Sequence, residues 1–481
     1  MSTELQAVKW QETRLRDVVT KLVDGSHNPP PKRDLGRPML SARNIENGRI
    51  IFDEFRLIDD DAFAAENART RITPGDVLLT IVGTIGRSAV VSQGIEHFAL
   101  QRSVAVLGPM STVLSKFLSY QLQAPRIQRH FQDSARGTAQ KGVYLKTLGE
   151  TPILLTSLDN QHRIVAEIEK QFSRLDQAVA SLQRVKAQLK RYKASVLKAA
   201  VEGRLVETEA ERARREGRGF ETGAELAAQG SANAAGGRKP GAALHYETGE
   251  QLLKRILETR RNQWKGKGKY KEPAAPETVG LPELPEGWVW VALPQLGEIG
   301  RGKSKHRPRD DAKLYGGTYP FIQTGDVRKS DGSIRDYNQT YSDFGLQQSR
   351  LWPNGTLCIT IAANIAETGI LALPACFPDS VVGFVSDEPM LTRFVEVFIR
   401  TIREKLEQFA PATAQKNINL ATLENIMAPL PPLAEQRRIV AEVDRRLSIV
   451  REVEAEVDAN LKRAQTLRQA VLARAFTGTS S

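Results

Sequence analysis

Apolar residues recur every seven positions in two stretches of this chain, Ile168, Leu175, Leu182, Leu189 and Val196 in one and Val443, Val450, Val457, Ala464 and Val471 in the other. Such a repeat keeps its seam against a partner only when helices wind around each other left-handed. A second apolar row, Ile164, Phe172 and Val179, with Ile439, Leu447 and Leu461 in the other copy, widens the stripe to the two positions per heptad that a coiled coil needs. Both stretches are predicted as helices of roughly 40 residues, about 60 Å long. The plainer alternative, a long amphipathic helix lying on a globular core, asks for more surface than a small domain offers.

The two helices are copies of one another. Gln161-His162-Arg163-Ile164-Val165-Ala166-Glu167-Ile168 returns as Gln436-Arg437-Arg438-Ile439-Val440-Ala441-Glu442-Val443, a register of 275 residues, and 12 of 43 aligned positions are identical without a gap, which marks an internal repeat. The repeat extends upstream into runs that read as strands punctuated by Gly and Pro. Pro38 to Ile45 parallels Pro320 to Val327, Gly75 to Ile81 parallels Gly355 to Ile361, and Thr138-Ala139-Gln140-Lys141 returns as Thr413-Ala414-Gln415-Lys416. The offset drifts from 282 through 280 to 275, so loops have changed length on a constant frame. A helix is predicted over Ser115 to Phe131, and an extended Pro152 to Leu155 closes the first copy.

This pattern divides the chain into a first mixed domain at 1–157, a first long helix at 158–203, a connector at 204–285, a second mixed domain at 286–432 and a second long helix at 433–478. The connector reads as a charged helix from Glu207 to Arg218, a small and flexible stretch from Gln229 to Gly241, a helix from Gln251 to Trp264, and a basic, proline-stiffened exit from Lys265.

Composition removes several classes of function. With 41% hydrophobic and 26% charged residues over 481 positions, the chain suits a water-soluble protein of about three domains. No apolar run approaches the roughly 18 residues of a membrane span, and Met1 to Trp10 lacks a signal pattern, so a cytoplasmic protein without membrane contact is expected. Cys358 and Cys376 are too few for a disulfide framework or a four-ligand zinc site, and read as buried thiols. The six histidines have no metal spacing. Phosphate-loop and nucleophile-elbow motifs are missing, so no catalytic residue and no metal site is expected. Asn28-Pro29-Pro30 matches the start of an amino-methyltransferase motif, but Pro31 stands where an aromatic should stack on a flipped base, and a stiff loop is the better reading. Gly83-Thr84-Ile85-Gly86 outlines a backbone clamp of single-strand RNA modules. The second copy has Ala363-Asn364-Ile365-Ala366, which favours a tight strand connection.

The net charge of +12 makes a polyanion the first partner to consider. It is concentrated in Arg301-Gly302-Lys303-Ser304-Lys305-His306-Arg307-Pro308-Arg309, whose counterpart in the first copy is the loop from His27 to Arg37. A basic loop is ordinary solvated surface unless something else marks it, and here the mark is its recurrence at one place in both repeats. In an extended segment Lys303, Lys305, Arg307 and Arg309 would share a face. Phosphate contact is expected of the lysines and base contact of Arg307 or Arg309, because guanidinium is bidentate and ammonium is not. The candidate DNA-binding set is His27, Lys32, Arg33, Arg37, Arg43, Arg87 and Lys141 in the first copy, and those four cations with Thr324, Arg328, Asn364 and Lys416 in the second.

At these residues the chain resembles the specificity subunit of a type I restriction-modification enzyme. The resemblance rests on the duplicated helix start, Leu158-Asp159-Asn160-Gln161 and Leu433-Ala434-Glu435-Gln436 with the residues that follow, on the Thr-Ala-Gln-Lys approach to each helix, and on Leu284-Pro285-Glu286-Gly287-Trp288 ahead of the second domain. Asn160 and His162 stand where the second copy has Glu435 and Arg437, so the first helix start is the less typical. The resemblance implies an α+β protein in which two mixed α/β target-recognition domains are joined by an antiparallel intramolecular coiled coil with pseudo-twofold symmetry. Each domain would read one half of an interrupted, asymmetric double-stranded DNA sequence, and the helices would dock two methyltransferase (M) subunits, which restriction/translocase (R) subunits join. S-adenosylmethionine, ATP and Mg would then belong to those bacterial or archaeal partners. Two rival readings are a self-contained DNA methyltransferase and a coiled-coil adaptor that never touches DNA.

Overall fold

A computed structural model describes residues 9–137, 141–217, 246–266, 268–362, 364–409 and 417–477. Its contacts divide the chain into two units, Met1–Lys186 with Ala455–Ser481, and Ala187–Glu454. Each unit therefore owns a stretch of both long helices.

The first unit contains strands β1 (Gln11–Arg14), β2 (Val19–Asp24), β3 (Arg37–Leu40), β4 (Ile45–Glu46), β5 (Arg49–Ile50), β6 (Arg56–Ile58), β7 (Val77–Thr80), β8 (Ser88–Val90), β9 (Ala99–Leu100), β10 (Val104–Pro109) and β11 (Pro152–Leu155). Its helices are α1 (Asp60–Thr70), α2 (Ser115–Leu122), α3 (Pro125–Ser134), α4 (Leu145–Gly149) and the start of α5 (Leu158–Val201). The main sheet is antiparallel in the order β2-β10-β7-β8, and β6-β3-β9 forms a smaller one. Every residue of β7 is buried. An inner strand covered on both faces reads as a continuous apolar run instead of an alternating one, which is why Val77-Leu78-Leu79 stands out in the sequence. The helix expected over 115–131 is broken in two, because Pro125 has no amide hydrogen to continue α2 and instead opens α3. Leu79, Leu107, Phe117 and Phe131 form the core with Ile164, Ile168 and Phe172 of α5 and with Leu472 and Phe476 near the chain's end.

The second unit repeats this plan with β12 (Val289–Ala292), β13 (Glu298–Arg301), β14 (Tyr315–Phe321), β15 (Gly332–Ile334), β16 (Gln339–Tyr341), β17 (Leu357–Thr360), β18 (Thr368–Leu371), β19 (Val381–Val385) and β20 (Met427–Leu430). Its helices are α6 (Glu209–Arg215), α7 (Gly249–Asn262), α8 (Leu293–Leu296), α9 (Thr324–Lys329), α10 (Asp343–Gln347), α11 (Pro389–Thr401), α12 (Arg403–Phe409), α13 (Leu420–Glu424) and the start of α14 (Leu433–Ala475). The main sheet runs β13-β19-β17-β18-β15. Just before each long helix a strand pair closes the unit, β1 with β11 and β12 with β20. The run from Pro320 is a strand only to Phe321, after which Gln323 begins α9. The first copy turns at the same place, where Ser41 caps a short 3₁₀ turn over Ala42–Asn44. In both, the side chain three residues on accepts the cap amide, from Ser41 to Asn44 at 2.9 Å and from Gln323 to Asp326 at 2.9 Å.

The long helices pack antiparallel in each unit. Asp176 meets Arg468 at 2.6 Å and Lys186 meets Asp458 at 2.7 Å in the first unit, and Lys193 meets Glu454 at 2.6 Å in the second. Positions rise along α5 as they fall along α14. Such exposed pairs contribute about 1 kcal/mol or less each, so the apolar seam carries the packing. Ile168, Val196, Val443, Val450, Val457 and Ala464 are buried, whereas Leu175, Leu182, Leu189 and Val471 are half-buried. The repeated glutamine at each helix start has a structural task. Gln161 is fully buried, accepts the Leu114 amide at 2.9 Å and donates to the carbonyls of Thr112 and Thr156. Gln436 donates to the carbonyl of Pro431 at 2.8 Å.

The segment expected as a connector with helical segments over 204–285 has a helix in each of the two expected places, and where it is described it also packs into core. Leu205, Ala210 and Ala213 are buried, and Leu252 and Ile256 of α7 lie in the core of the second unit with Val291, Leu357 and Phe384. The flexible stretch expected at Gln229 to Gly241 lies outside the described residues. Helix α6 docks by its first amide, that of Glu209, which donates to Glu435 at 2.9 Å, while Trp288 donates to the other carboxylate oxygen at 3.1 Å. Arg438 closes the group by pairing with Glu209 at 2.6 Å. Burial outweighs these donors and pushes the Glu435 carboxyl up from 4.5 to about 7. The native state then holds this proton more tightly than the unfolded chain, so stability falls as pH rises from 4.5 to about 7, by about 3 kcal/mol in all. Glu435→Gln should flatten that slope. Urea midpoints between pH 5 and 8 test this, and a variant with the wild-type slope would mean that another group titrates.

Candidate nucleic-acid interface

One end of each main sheet gathers loops that are far apart in sequence. In the first unit the Gly25 amide donates to Val104 at 3.0 Å, Ile81 to Ser103 at 2.9 Å, and Val143 to Ile81 at 2.9 Å. In the second, Gly302 donates to Val381 at 2.9 Å, Ile361 to Ser380 at 3.0 Å, and Ile418 to Ile361 at 3.0 Å. The same three bonds thus tie together the end of the first sheet strand, the turn into the central strand and the hairpin after β7 or β17. Gly25 and Gly302 are needed there, since a Cβ on either would run into carbonyl oxygens, of Leu100 and Gln101 or of Phe377 and Pro378.

The bonds that close the hairpin on its threonine are duplicated. Thr80 accepts the Arg87 amide at 2.9 Å and Thr360 accepts that of Glu367 at 3.0 Å, each on its hydroxyl oxygen. The Gly86 and Ala366 amides return to the carbonyls of Thr80 and Thr360, both at 2.8 Å. Gly86 has φ +90° and Ala366 φ +56°. The alanine pays a left-handed penalty of roughly 1–2 kcal/mol, which the surrounding bonds offset. Gly83 to Gly86 is thus a tight strand connection.

In the first unit this end presents Arg43, Arg87 and Lys141, all exposed and, among the described residues, without an ion pair. It also presents Arg102, a residue that sequence reasoning missed. Arg102 is exposed in the turn between β9 and β10 and has no ion pair among the described residues. Arg102 lies two residues ahead of a buried strand, at the position Asp379 holds in the other copy. The loop from His27 to Arg37 departs from expectation. Arg33 pairs with Asp59 and Arg37 with Asp60, both at 3.1 Å. The Ala62 amide at the start of α1, and then Arg33, hold the Asp59 carboxyl below its usual range. These guanidiniums are therefore engaged by carboxylates at the start of α1 and are not presented free, as the sequence suggested. His27 is tied to Asp24 at 2.8 Å, and Lys32 is exposed. Asn28-Pro29-Pro30 forms a supported loop, with Arg56 donating to the Pro30 carbonyl at 2.7 Å.

In the second unit the basic loop stands on a small aromatic cluster of Phe321, Tyr341 and Tyr315, in which Phe321 and Tyr341 stack at 4.0 Å. Ser304 and His306 are half-buried, Ser304 within 3.4 Å of the Tyr341 hydroxyl and His306 bound to Asp311 at 2.8 Å with Phe344 edge-on at 5.3 Å. The Lys313 amide, and then His306, keep the Asp311 carboxyl low. With the even positions turned inward, Lys303, Lys305 and Arg307 project outward and are exposed. Arg307 folds back to donate to the carbonyls of Ser304 and His306 at 2.7 and 2.8 Å. Arg309 leaves the expected common face, because its Nη2 is held by both oxygens of Asp379 at 2.9 and 3.0 Å. Arg301 donates to the Asp379 carbonyl. Thr324 is half-buried at the start of α9 and Arg328 is exposed on it. Asn364 lies in the hairpin, half-buried, and its carbonyl accepts the Thr360 hydroxyl. Lys416 lies outside the described residues. Cys358 and Cys376 are buried and free, and burial pushes both thiols up.

The sequence model of one family, described as the type I restriction modification DNA specificity domain, matches residues 7–191 and 285–459. Among curated relatives, the type I restriction enzyme EcoBI specificity subunit of Escherichia coli is 26% identical over 200 residues, which is 41% of this chain and 42% of that protein. The EcoKI specificity subunit of Escherichia coli strain K12 is 23% identical over 206 residues, 41% of this chain and 44% of that one. These matches therefore take in less than half of each relative's length. A solved chain from work on complex assembly and conformational transition of the type I R-M system is similar over 98% of both chains, with a TM-score of 0.62 at 20% identity. That likeness is one of fold.

Proposed function

Because this chain belongs to the type I restriction modification DNA specificity family, we propose that it is the non-catalytic subunit that reads a bipartite, asymmetric target in double-stranded DNA, one half per unit. The observation that carries the reading is one loop frame built twice, tied by the same three backbone bonds, with different side chains displayed on it. A frame that is kept while its display diverges is what two different half-sites require, since backbone contacts position a protein on DNA and side chains at base edges specify the sequence. The long helices then dock methyltransferase subunits, with restriction/translocase subunits joining that core. S-adenosylmethionine, ATP and Mg serve in those partners.

Exchanging residues 288–428 for the corresponding domain of a related subunit tests the reading. Methylated adenines mapped in DNA from cells carrying the full operon should show one half of the recognised sequence changed and the other intact. If both halves change together, reading is not divided between the units. If methylation continues unaltered, the second unit reads nothing.

A further inference from the structure

The two sheet ends share a frame but have exchanged a charge. Asp24 ends β2 just ahead of Gly25, where the second copy has Arg301 ahead of Gly302. Arg102 stands in the turn just ahead of Ser103, where the second copy has Asp379 ahead of Ser380. In the first unit the carboxylate therefore sits on the strand end, and in the second it sits across the tied loops on the turn. Each carboxylate holds a different side chain.

Asp24, whose side chain is only 13% exposed, binds Nε2 of His27 at 2.8 Å, with Arg69 at 3.6 Å from its other oxygen. The imidazole itself is 60% exposed. In the neutral imidazole with Nε2–H donating to this carboxylate, Nδ1 is the acceptor. Asp379 instead holds Nη2 of Arg309, which is 51% exposed. Arg309 is also fixed at its backbone, where its carbonyl accepts the Tyr315 hydroxyl at 2.5 Å. Its Nε and Nη1, which lie on different edges of the guanidinium, are engaged by no side chain among the described residues and can each donate singly. Lys303 and Lys305, by contrast, make no ion pair among the described residues.

We propose that Asp24 and Asp379 are positioning residues that set base preference, Asp24 by presenting His27 as an acceptor in the first unit and Asp379 by presenting Arg309 as a donor in the second. This rests on the reading that each unit reads a half-site. A side chain held by a second residue has part of its ordering entropy already lost before binding, and its unbound edge has one polarity. An acceptor suits the exocyclic amine of adenine or cytosine, and a single guanidinium N–H suits O6 or N7 of guanine. The same frame thus discriminates opposite base edges according to which wall carries the carboxylate.

The experiment is selection from a random duplex library by the full chain assembled with its methyltransferase subunits, as wild type and as Asp24→Asn, Asp379→Asn and Asp379→Glu. Wild type should enrich a two-part sequence. Asp379→Asn should lose preference by about tenfold at a base pair in one part only, Asp24→Asn should do so in the other part only, and Asp379→Glu should restore part of the loss. Tighter binding of all duplexes with preferences unchanged would mean that the carboxylates merely repel phosphate, and equal weakening of both parts would mean that they merely support the fold. Either result overturns the proposal while leaving the bipartite reading intact. A wild type that enriches no sequence overturns both.

Discussion

Replacing Lys303, Lys305 and Arg307 together by alanine is expected to lower the slope of log affinity against log salt by nearly three. Each phosphate contact contributes about 0.9 to that slope through released counterions. The loop's alternate residues are anchored inward at Tyr341 and Asp311, so these anchors remain when the three charges are removed, although Arg307→Ala also removes two bonds to the Ser304 and His306 carbonyls. Near 0.1 M salt the loss should be on the order of 10²-fold or more, alike for cognate and mismatched duplexes. Arg309→Ala should behave in the opposite way, with little change in slope and a penalty of about 1 to 3 kcal/mol confined to one base pair. Salt titration by fluorescence anisotropy separates the two. A triple variant with the wild-type slope would make this loop plain solvated surface and move phosphate binding in the second unit to Arg328 and its neighbours.

Trp288→Ala is expected to cost about 3–5 kcal/mol of stability, the range for deleting a large buried aromatic. Trp288 is 8% exposed and packs among Val196, Ala200, Phe394 and Ile439, so its removal opens a cavity between α5, α11 and α14. It also strips one of the two donors from the buried Glu435, and a buried acceptor left short of a partner adds its own penalty. Trp290→Ala is the control, because Trp290 is half-buried and its ring nitrogen bonds only the Pro282 carbonyl, at 3.0 Å. Urea midpoints followed by circular dichroism should separate the variants clearly. Equal losses would show that the Trp288 site collapses without a cavity.

The part of the protein that repeats can be read along the chain. The heptad rows from Ile168 to Val196 and from Val443 to Val471, the paired helix starts and the two strand frames are all legible, because helical and strand periodicities are local. A drifting offset between copies then tells loops from frame. The inward turn of Ser304 and His306 was readable in the same way, as alternation within an extended loop. Which partner each charge meets depends instead on the fold. Arg33 and Arg37 read as unpaired cations of a loop, and the fold pairs them with Asp59 and Asp60 across the turn into α1, while Arg309 reads as one of a row and the fold turns it to Asp379. Arg102 was passed over because it sits alone in sequence, and only the backbone bonds of its neighbour Ser103 bring it to the sheet end with Arg43, Arg87 and Lys141. Composition likewise made the segment around Glu209 a linker, whereas its place was decided by Glu435, whose buried oxygens have no solvent and so take the amide of Glu209 and the indole of Trp288. Periodicity is a property of neighbours along the chain, but an ion pair or a buried hydrogen bond depends on which distant groups the fold brings within about 3 Å, and no spacing in the sequence encodes that distance.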